Sequence, residues 1–136
     1  MDDPDRGDVE SFASPAQIRV AQAAAAAAPH AAALMTEHLS DHGELLPIMY
    51  FDTLGVWYLA AWRRRDADPD QFAQAGAVAA VLDAQLKSDP GLENAIAVGF
   101  VEMFTFLPAS EQAAAAATLP PVLRAEYTAM AAWRPS

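Results

Sequence analysis

Apolar residues recur every three or four positions along most of the chain, the spacing of helices that bury one face. Two segments, about 47 to 65 and about 90 to 107, follow this spacing and are also largely apolar on their remaining sides. No stretch shows the strict alternation that is typical of a half-buried strand. The pattern therefore predicts an all-α protein, a compact bundle of five to seven helices with these two segments at its centre.

Prolines and capping side chains mark the expected helix boundaries. Three dipeptides place a capping residue before a proline at the first helical position: Ser14-Pro15, Asp68-Pro69 and Asp89-Pro90. Ser110 is expected to cap a short helix, and Gly43 is expected to end one. The last helix is expected to run from Leu123 to Trp133, with an inward face formed by Leu123, Tyr127, Met130 and Trp133.

Composition supports a single helical core. Of the 136 residues, 33 are alanine, which is the best helix former and is depleted in strands. The hydrophobic fraction of 54% is enough for one core at this length, so residues 13–136 are expected to form a single helical domain. Residues 1–12 hold five acidic side chains and are expected to be a flexible acidic tail.

The formal net charge of −10 narrows the classes of partner. A protein this acidic repels phosphate backbones and anionic lipid, so neither nucleic acid nor a membrane is expected, whereas a basic protein would be attracted. Residues 45–62 have nearly the length and hydrophobicity of a membrane span, but Asp52 makes that interpretation costly. The lack of cysteine and of an apolar leader favours a cytoplasmic protein.

Two sets of residues are candidates for chemistry. His38 and His42 are four residues apart, so both can face one direction from a helix and hold a divalent metal; the alternative is a solvated histidine pair at a helix end. Asp52 and Glu102 are isolated carboxylates within the two most apolar segments. If all four side chains meet in one cleft, they would form a ligand, metal or acid–base site; if the carboxylates lie at helix edges, they are ordinary surface groups.

Three short motifs occur in order between about residues 38 and 133. They are HGELLP at 42–47, leading into a helix with Asp52, then IAVGFVE at 96–102, then PVLRAE at 121–126 with a later Trp133. Together they resemble a family of small, uncharacterised, all-helical actinobacterial proteins. Some proteins similar to these look like immunity partners of bacterial toxins. The resemblance implies a protein partner and assigns no role to Asp52 or Glu102.

The first functional hypothesis is a non-enzymatic acidic binding protein, an immunity or antitoxin protein that neutralises a basic toxin domain by direct binding. The expected contact residues are acidic groups in loops at helix ends: Asp41, Glu44, Asp66, Asp68 and Asp70. The alternative is a small metal- or ligand-binding protein, with or without enzymatic activity, that uses His38, His42, Asp52 and Glu102. No nucleophile elbow, phosphate loop or dinucleotide fingerprint is present, so we expect neither an enzyme nor a bound cofactor. The expected oligomeric state is a monomer or homodimer.

Overall fold

A computed structural model describes residues 13–133, and within this range it contains seven α-helices and no strand. A 3-10 helix, Val101–Phe106, is also present. The α-helices are α1 (Pro15–Ala26), α2 (Pro29–His42), α3 (Pro47–Arg63), α4 (Pro69–Gln85), α5 (Pro90–Gly99), α6 (Ala109–Ala116) and α7 (Pro121–Trp133). The all-α bundle is therefore confirmed. The expected acidic tail, residues 1–12, lies outside the described residues.

Local capping explains how α1, α4 and α5 begin and how α2 ends. The side chains of Ser14, Asp68 and Asp89 each accept a hydrogen bond from the backbone N–H three residues later, as predicted. Gly43 ends α2 with a φ of 75°, and its N–H donates to the carbonyl of Leu39 over 2.8 Å. A left-handed residue at this position is the usual C-terminal cap, and glycine adopts it without steric cost.

The prediction of one continuous helix over about 90 to 107 is wrong for the second half of this segment. The α-helix ends at Gly99, and the chain tightens into the 3-10 helix, whose N–H groups bond three residues back, as from Leu107 to Phe104. Both helix types repeat apolar residues at a spacing of three, so the pattern did not distinguish them. The prediction that Ser110 caps α6 is also wrong: Pro108 is the cap, its carbonyl accepts from two N–H groups, and α6 starts two residues earlier than predicted, at Ala109.

The centre of the bundle is the contact between α3 and α5. On α3, Gly55 lies so close to α5 that a Cβ there would be 2.9 Å from the carbonyl oxygen of Phe100. A Cβ on Gly99 would lie 2.7 Å from the carbonyl oxygen of Ile48 and 2.8 Å from the Cβ of Phe51. We call this contact the glycine seam. It brings the two backbones closer than any larger residues at these positions would allow.

The helix α3 supplies much of the core and packs against α1, α2, α4, α5 and the 3-10 helix. Its fully buried side chains include Tyr50, Phe51, Leu54 and Tyr58, and Trp57 is also buried. Most of its aromatic residues are thus core residues rather than surface anchors. No helix in the described range is long and apolar enough to cross a bilayer.

Candidate functional site

His38, near the end of α2, is a buried hydrogen-bond acceptor that faces the turn between α2 and α3. Its side chain is only 6% exposed, and its Nε2 accepts from the backbone N–H of Leu46 over 3.0 Å. The ring also contacts His42, with centroids 4.6 Å apart, and Tyr50, at 5.8 Å. Burial lowers the pKa of His38, His42 lowers it further, and Asp41 opposes the shift. These effects favour the neutral imidazole that the hydrogen bond requires.

The hydrogen bond from Leu46 occupies the ring nitrogen of His38 that would otherwise be available to a metal. A metal ligand must offer a free nitrogen lone pair, and that of His38 Nε2 already receives the Leu46 N–H. Between residues 13 and 133 no group of three or more histidine and carboxylate side chains is placed to hold a metal ion. The geometry therefore gives His38 a structural task, which is to hold the turn that leads into α3.

The two carboxylates of the apolar segments lie at partly exposed positions, Asp52 on α3 and Glu102 on the 3-10 helix. Glu102 lines a surface groove that includes neither Asp52 nor either of the two candidate histidines. His42 is exposed at the end of α2, next to buried His38. The structure thus brings the two histidines together and places Glu102 in a different site.

The acidic residues expected to contact a partner fall into two groups. Asp41 and Glu44 flank the turn before α3, whereas Asp66, Asp68 and Asp70 follow its end. The helix between them has 17 residues, so at 1.5 Å per residue the two groups are separated by roughly 25 Å along its axis. They are therefore two acidic regions at opposite ends of α3 and not one patch.

The second acidic region is partly engaged within the fold. The carboxylate of Asp68 caps α4, and that of Asp70 accepts from the side-chain amide of Gln74 over 3.3 Å. Three exposed arginines, 63–65, directly precede this loop. Arg63 pairs with Glu111 over 2.9 Å, and the charges of Arg64 and Arg65 offset part of the loop's negative charge. Asp66 is exposed. The loop therefore presents less net negative charge than its three aspartates suggest.

Several large apolar side chains remain at the surface. Trp133 is 84% exposed, and Phe106 is 65% exposed. The others that exceed a third exposure are Leu39, Ile48, Met49, Val56 and Val98. The expectation that Trp133 turns inward is wrong, whereas Leu123 at the other end of α7 is fully buried. Exposed aromatic residues of this size are typical of surfaces that bind another molecule.

The two most exposed aromatic residues lie in grooves on either side of the 3-10 helix. The Trp133 groove, about 590 Å³, is lined by Val98, Glu102, Glu126, Ala129, Met130 and Trp133. The Phe106 groove, about 340 Å³, is lined by Val56, Leu59, Ala60, Arg63, Met103, Phe106 and Leu107. The first groove lies against α7 and the second lies against α3.

The geometry of the 3-10 helix explains this division. With three residues per turn, side chains three apart align in rows. Val101 and Phe104 form the row that is buried. Met103 and Phe106 form a second row that lines the Phe106 groove, and Glu102 belongs to the third row, beside the Trp133 groove.

The helix α7 forms the outer wall of the Trp133 groove and is held by polar contacts from distant parts of the chain. One carboxylate oxygen of Asp83, on α4, accepts from the N–H groups of Val122 and Leu123 over 2.7 and 2.8 Å. The hydroxyl of Tyr127 donates to the side-chain oxygen of Gln112 over 2.9 Å. Sequence reasoning missed Asp83, since its partners lie about 40 residues away.

Sequence reasoning also missed Glu126 and Met130 as surface-site residues. Glu126 occurs in the third quoted motif, but nothing local indicates that it faces a groove with Glu102. The helical spacing of Glu126, Met130 and Trp133 was the available signal, because residues three and four apart share one face. The predicted inward face of α7 runs from Leu123 to Trp133, but only its Leu123 end is buried.

Comparison of the chain with protein-family models, with curated proteins and with solved structures finds no match. The resemblance to actinobacterial immunity-type proteins therefore stays a prediction. Any functional interpretation depends on the chain's own geometry and charge, above all on the exposed aromatic residues and the carboxylates beside them.

Proposed function

We propose that this protein is a non-enzymatic binding protein that recognises a basic surface of another protein, as an immunity or antitoxin protein does when it neutralises a toxin by direct contact. The observation that carries the proposal is Trp133, 84% exposed in a groove that also contains the carboxylates of Glu102 and Glu126. An exposed tryptophan next to acidic groups suits a partner with apolar and positively charged residues side by side.

The overall charge supports the same class of partner. At a net charge of −10, the protein attracts basic molecules over distances of about a Debye length and repels phosphate-rich ones. The two acidic regions, with Asp41 and Glu44 at one end of α3 and Asp66 to Asp70 at the other, would contribute to this long-range attraction. Contact itself is proposed at the Trp133 groove, where burial of apolar surface supplies affinity.

The alternative, a metal or ligand site built from His38, His42, Asp52 and Glu102, has weaker support. His38 is committed to the backbone of Leu46, and Glu102 lies in a groove away from both histidines. Glu102 is instead proposed to contribute to binding of a protein partner, and not of a small molecule or metal.

The proposed function can be tested by co-expressing the chain with each protein encoded beside its gene. We expect one of these proteins to inhibit growth when expressed alone, to be neutralised by this chain, and to elute with it as a complex. The complex should weaken steeply between about 50 and 500 mM salt, because a charge-steered interface is screened. If no neighbouring protein binds the chain or is neutralised by it, the immunity function is wrong.

A further inference from the structure

The lining of the Trp133 groove has two chemical characters. Four side chains are apolar, Val98, Ala129, Met130 and Trp133, and two are acidic, Glu102 and Glu126. The small side chain of Ala129 leaves room between the larger ones. A ligand that matches this lining must present an apolar stripe with a positive charge next to it.

The charge on Glu126 is only loosely compensated by its neighbour Lys87. The Lys87 ammonium lies 3.8 Å from Glu126 but 2.5 Å from Glu93. The hydrogen bond from Lys87 to Glu93 is the main reason that the pKa of this lysine is raised. An incoming lysine or arginine at ordinary hydrogen-bond distance would therefore lie closer to Glu126 than Lys87 does.

The dimensions of the groove select the kind of segment that fits. Glu126 and Trp133, with Met130 between them, are seven residue steps apart on α7, which corresponds to roughly 10 Å or two helical turns. The opposite wall consists of Val98 from α5 and Glu102 from the 3-10 helix. A short helix that rests between two helical walls makes contacts through residues spaced three and four apart. An added strand would need an open sheet edge, and residues 13–133 contain no sheet.

We infer that the Trp133 groove receives one amphipathic α-helix of the partner, about two to three turns long, with lysine or arginine flanking its apolar stripe. This inference rests on the proposed function and assigns its contact surface. Trp133 and Met130 cover the apolar stripe of the incoming helix, and Glu126 binds one of its cationic groups. The acidic regions at the ends of α3 attract the partner without contacting this helix.

The test uses the full chain and a fluorescein-labelled synthetic peptide of leucine and lysine with helical amphipathic spacing. Two control peptides are a scrambled version without the stripe and a leucine–glutamate version. We expect anisotropy to report binding of the first peptide only. Tryptophan emission should shift to shorter wavelength, because Trp57 and Trp62 are already buried and Trp133 is the exposed one.

Matched variants separate the groove from the rest of the acidic surface. Trp133→Ala should weaken peptide binding at least tenfold, and Glu126→Gln several-fold with a shallower salt dependence. Phe106→Ala in the other groove and Asp66→Asn in the α3–α4 loop should each leave binding within twofold. Urea unfolding of every variant shows whether it is folded. Equal losses for Glu126→Gln and Asp66→Asn, tight binding of the scrambled peptide, or no binding at all would overturn the inference.

The same variants distinguish failure of this inference from failure of the proposed function. If a neutralised partner is found by co-expression and Trp133→Ala leaves its binding unchanged, the groove assignment is wrong and the binding function stands. If the lysine peptide binds in the groove but no encoded neighbour is bound or neutralised, the groove assignment stands and the immunity function fails.

Discussion

The inner and outer sides of the same apolar elements have different surroundings. On α3, Phe51 and Leu54 are fully buried, whereas Met49 and Val56 are 46% and 56% exposed. In the 3-10 helix, Phe104 is fully buried and Phe106, two residues later, is 65% exposed. The inner side of α3 takes part in the glycine seam, whereas Val56 and Phe106 on the outer sides line the Phe106 groove. The comparison teaches that the chain carries more apolar surface than its own core covers, and an excess of this kind is typical of binding proteins.

The two sides also differ in what determines their contacts. On the inner side the backbones approach so closely that a single added methyl group at Gly99 would overlap Ile48 or Phe51. On the outer side Trp133 and Phe106 border open grooves and are 84% and 65% exposed. Substitutions on the inner side should therefore change stability, and substitutions in the Trp133 groove should change binding.

The largest expected change in stability comes from Phe104 of the 3-10 helix, with Phe106 in the same helix as its control. Phe104→Ala removes a fully buried ring that contacts Tyr58, Phe100 and Tyr127, and should lower the free energy of unfolding by about 3–5 kcal/mol. Phe106→Ala should change it by about 0.5 kcal/mol or less. Urea unfolding followed by circular dichroism measures both, and Phe104→Leu serves if the alanine variant does not fold. Equal effects for the two positions would contradict the comparison.

Glycine substitutions test the closeness of the seam. Gly99→Ala should destabilise the fold by about 1–3 kcal/mol, because the new methyl group overlaps the backbone of α3. Gly76→Ala in α4 is the matched control: a Cβ there meets no atom within 4 Å, and alanine should stabilise this helix by about 0.5–1 kcal/mol. Thermal unfolding of both variants should give shifts of opposite sign, and two stabilised variants would show that the seam is looser than described.

Asp83→Ala tests how the outer wall of the Trp133 groove is attached. Loss of this carboxylate leaves two N–H groups at the start of α7 without their acceptor and should cost about 1–2 kcal/mol. The exposed Asp66→Ala should have an effect of about 0.5 kcal/mol or less. Hydrogen exchange should show faster opening of α7 in Asp83→Ala but not of α3. Uniformly faster exchange along the whole chain would indicate that α7 is not a separately held element.

The smallest expected change in stability is its dependence on pH through His38, which holds the turn where α3 begins. In the unfolded chain His38 titrates near its ordinary pKa of 6.5, and in the folded protein its pKa is lower. Between these two pKa values the unfolded chain therefore binds more protons than the folded protein. The contribution to stability is therefore complete above pH 6.5 and is lost as the pH falls toward the folded pKa. For one proton the slope cannot exceed about 1.4 kcal/mol per pH unit.

His38→Gln provides the measurement for this pH effect. Glutamine keeps an oxygen that can accept the Leu46 N–H but does not titrate, so the variant should lose less stability between pH 7 and pH 5 than the unsubstituted protein. His42→Gln should also reduce the loss, because it removes a positive charge that lowers the pKa of His38. Superimposable pH profiles for the His38→Gln variant and the unsubstituted protein would rule out His38 as the responsible group.

Local sequence patterns were sufficient where a structure depends on neighbours in the chain. The caps at Ser14, Asp68 and Asp89 each join residues three apart, and the stop at Gly43 depends on one residue's conformation. The apolar spacing of residues 47–65 predicted a buried central helix, because the free energy of burying such a stripe exceeds any local alternative. The all-α fold and its central helix therefore follow from the sequence alone.

Only the tertiary structure decided which apolar and polar residues face a partner. Four features depend on groups brought together by the fold: the hydrogen bond that Asp83 accepts from Val122, the acceptor role of His38, the close approach of Gly99 to α3 and the exposure of Trp133. Periodicity shows that a helix has an apolar face, but not how far along that face its neighbours extend. The neighbours cover the Leu123 end of α7 and leave its Trp133 end open, which makes the groove.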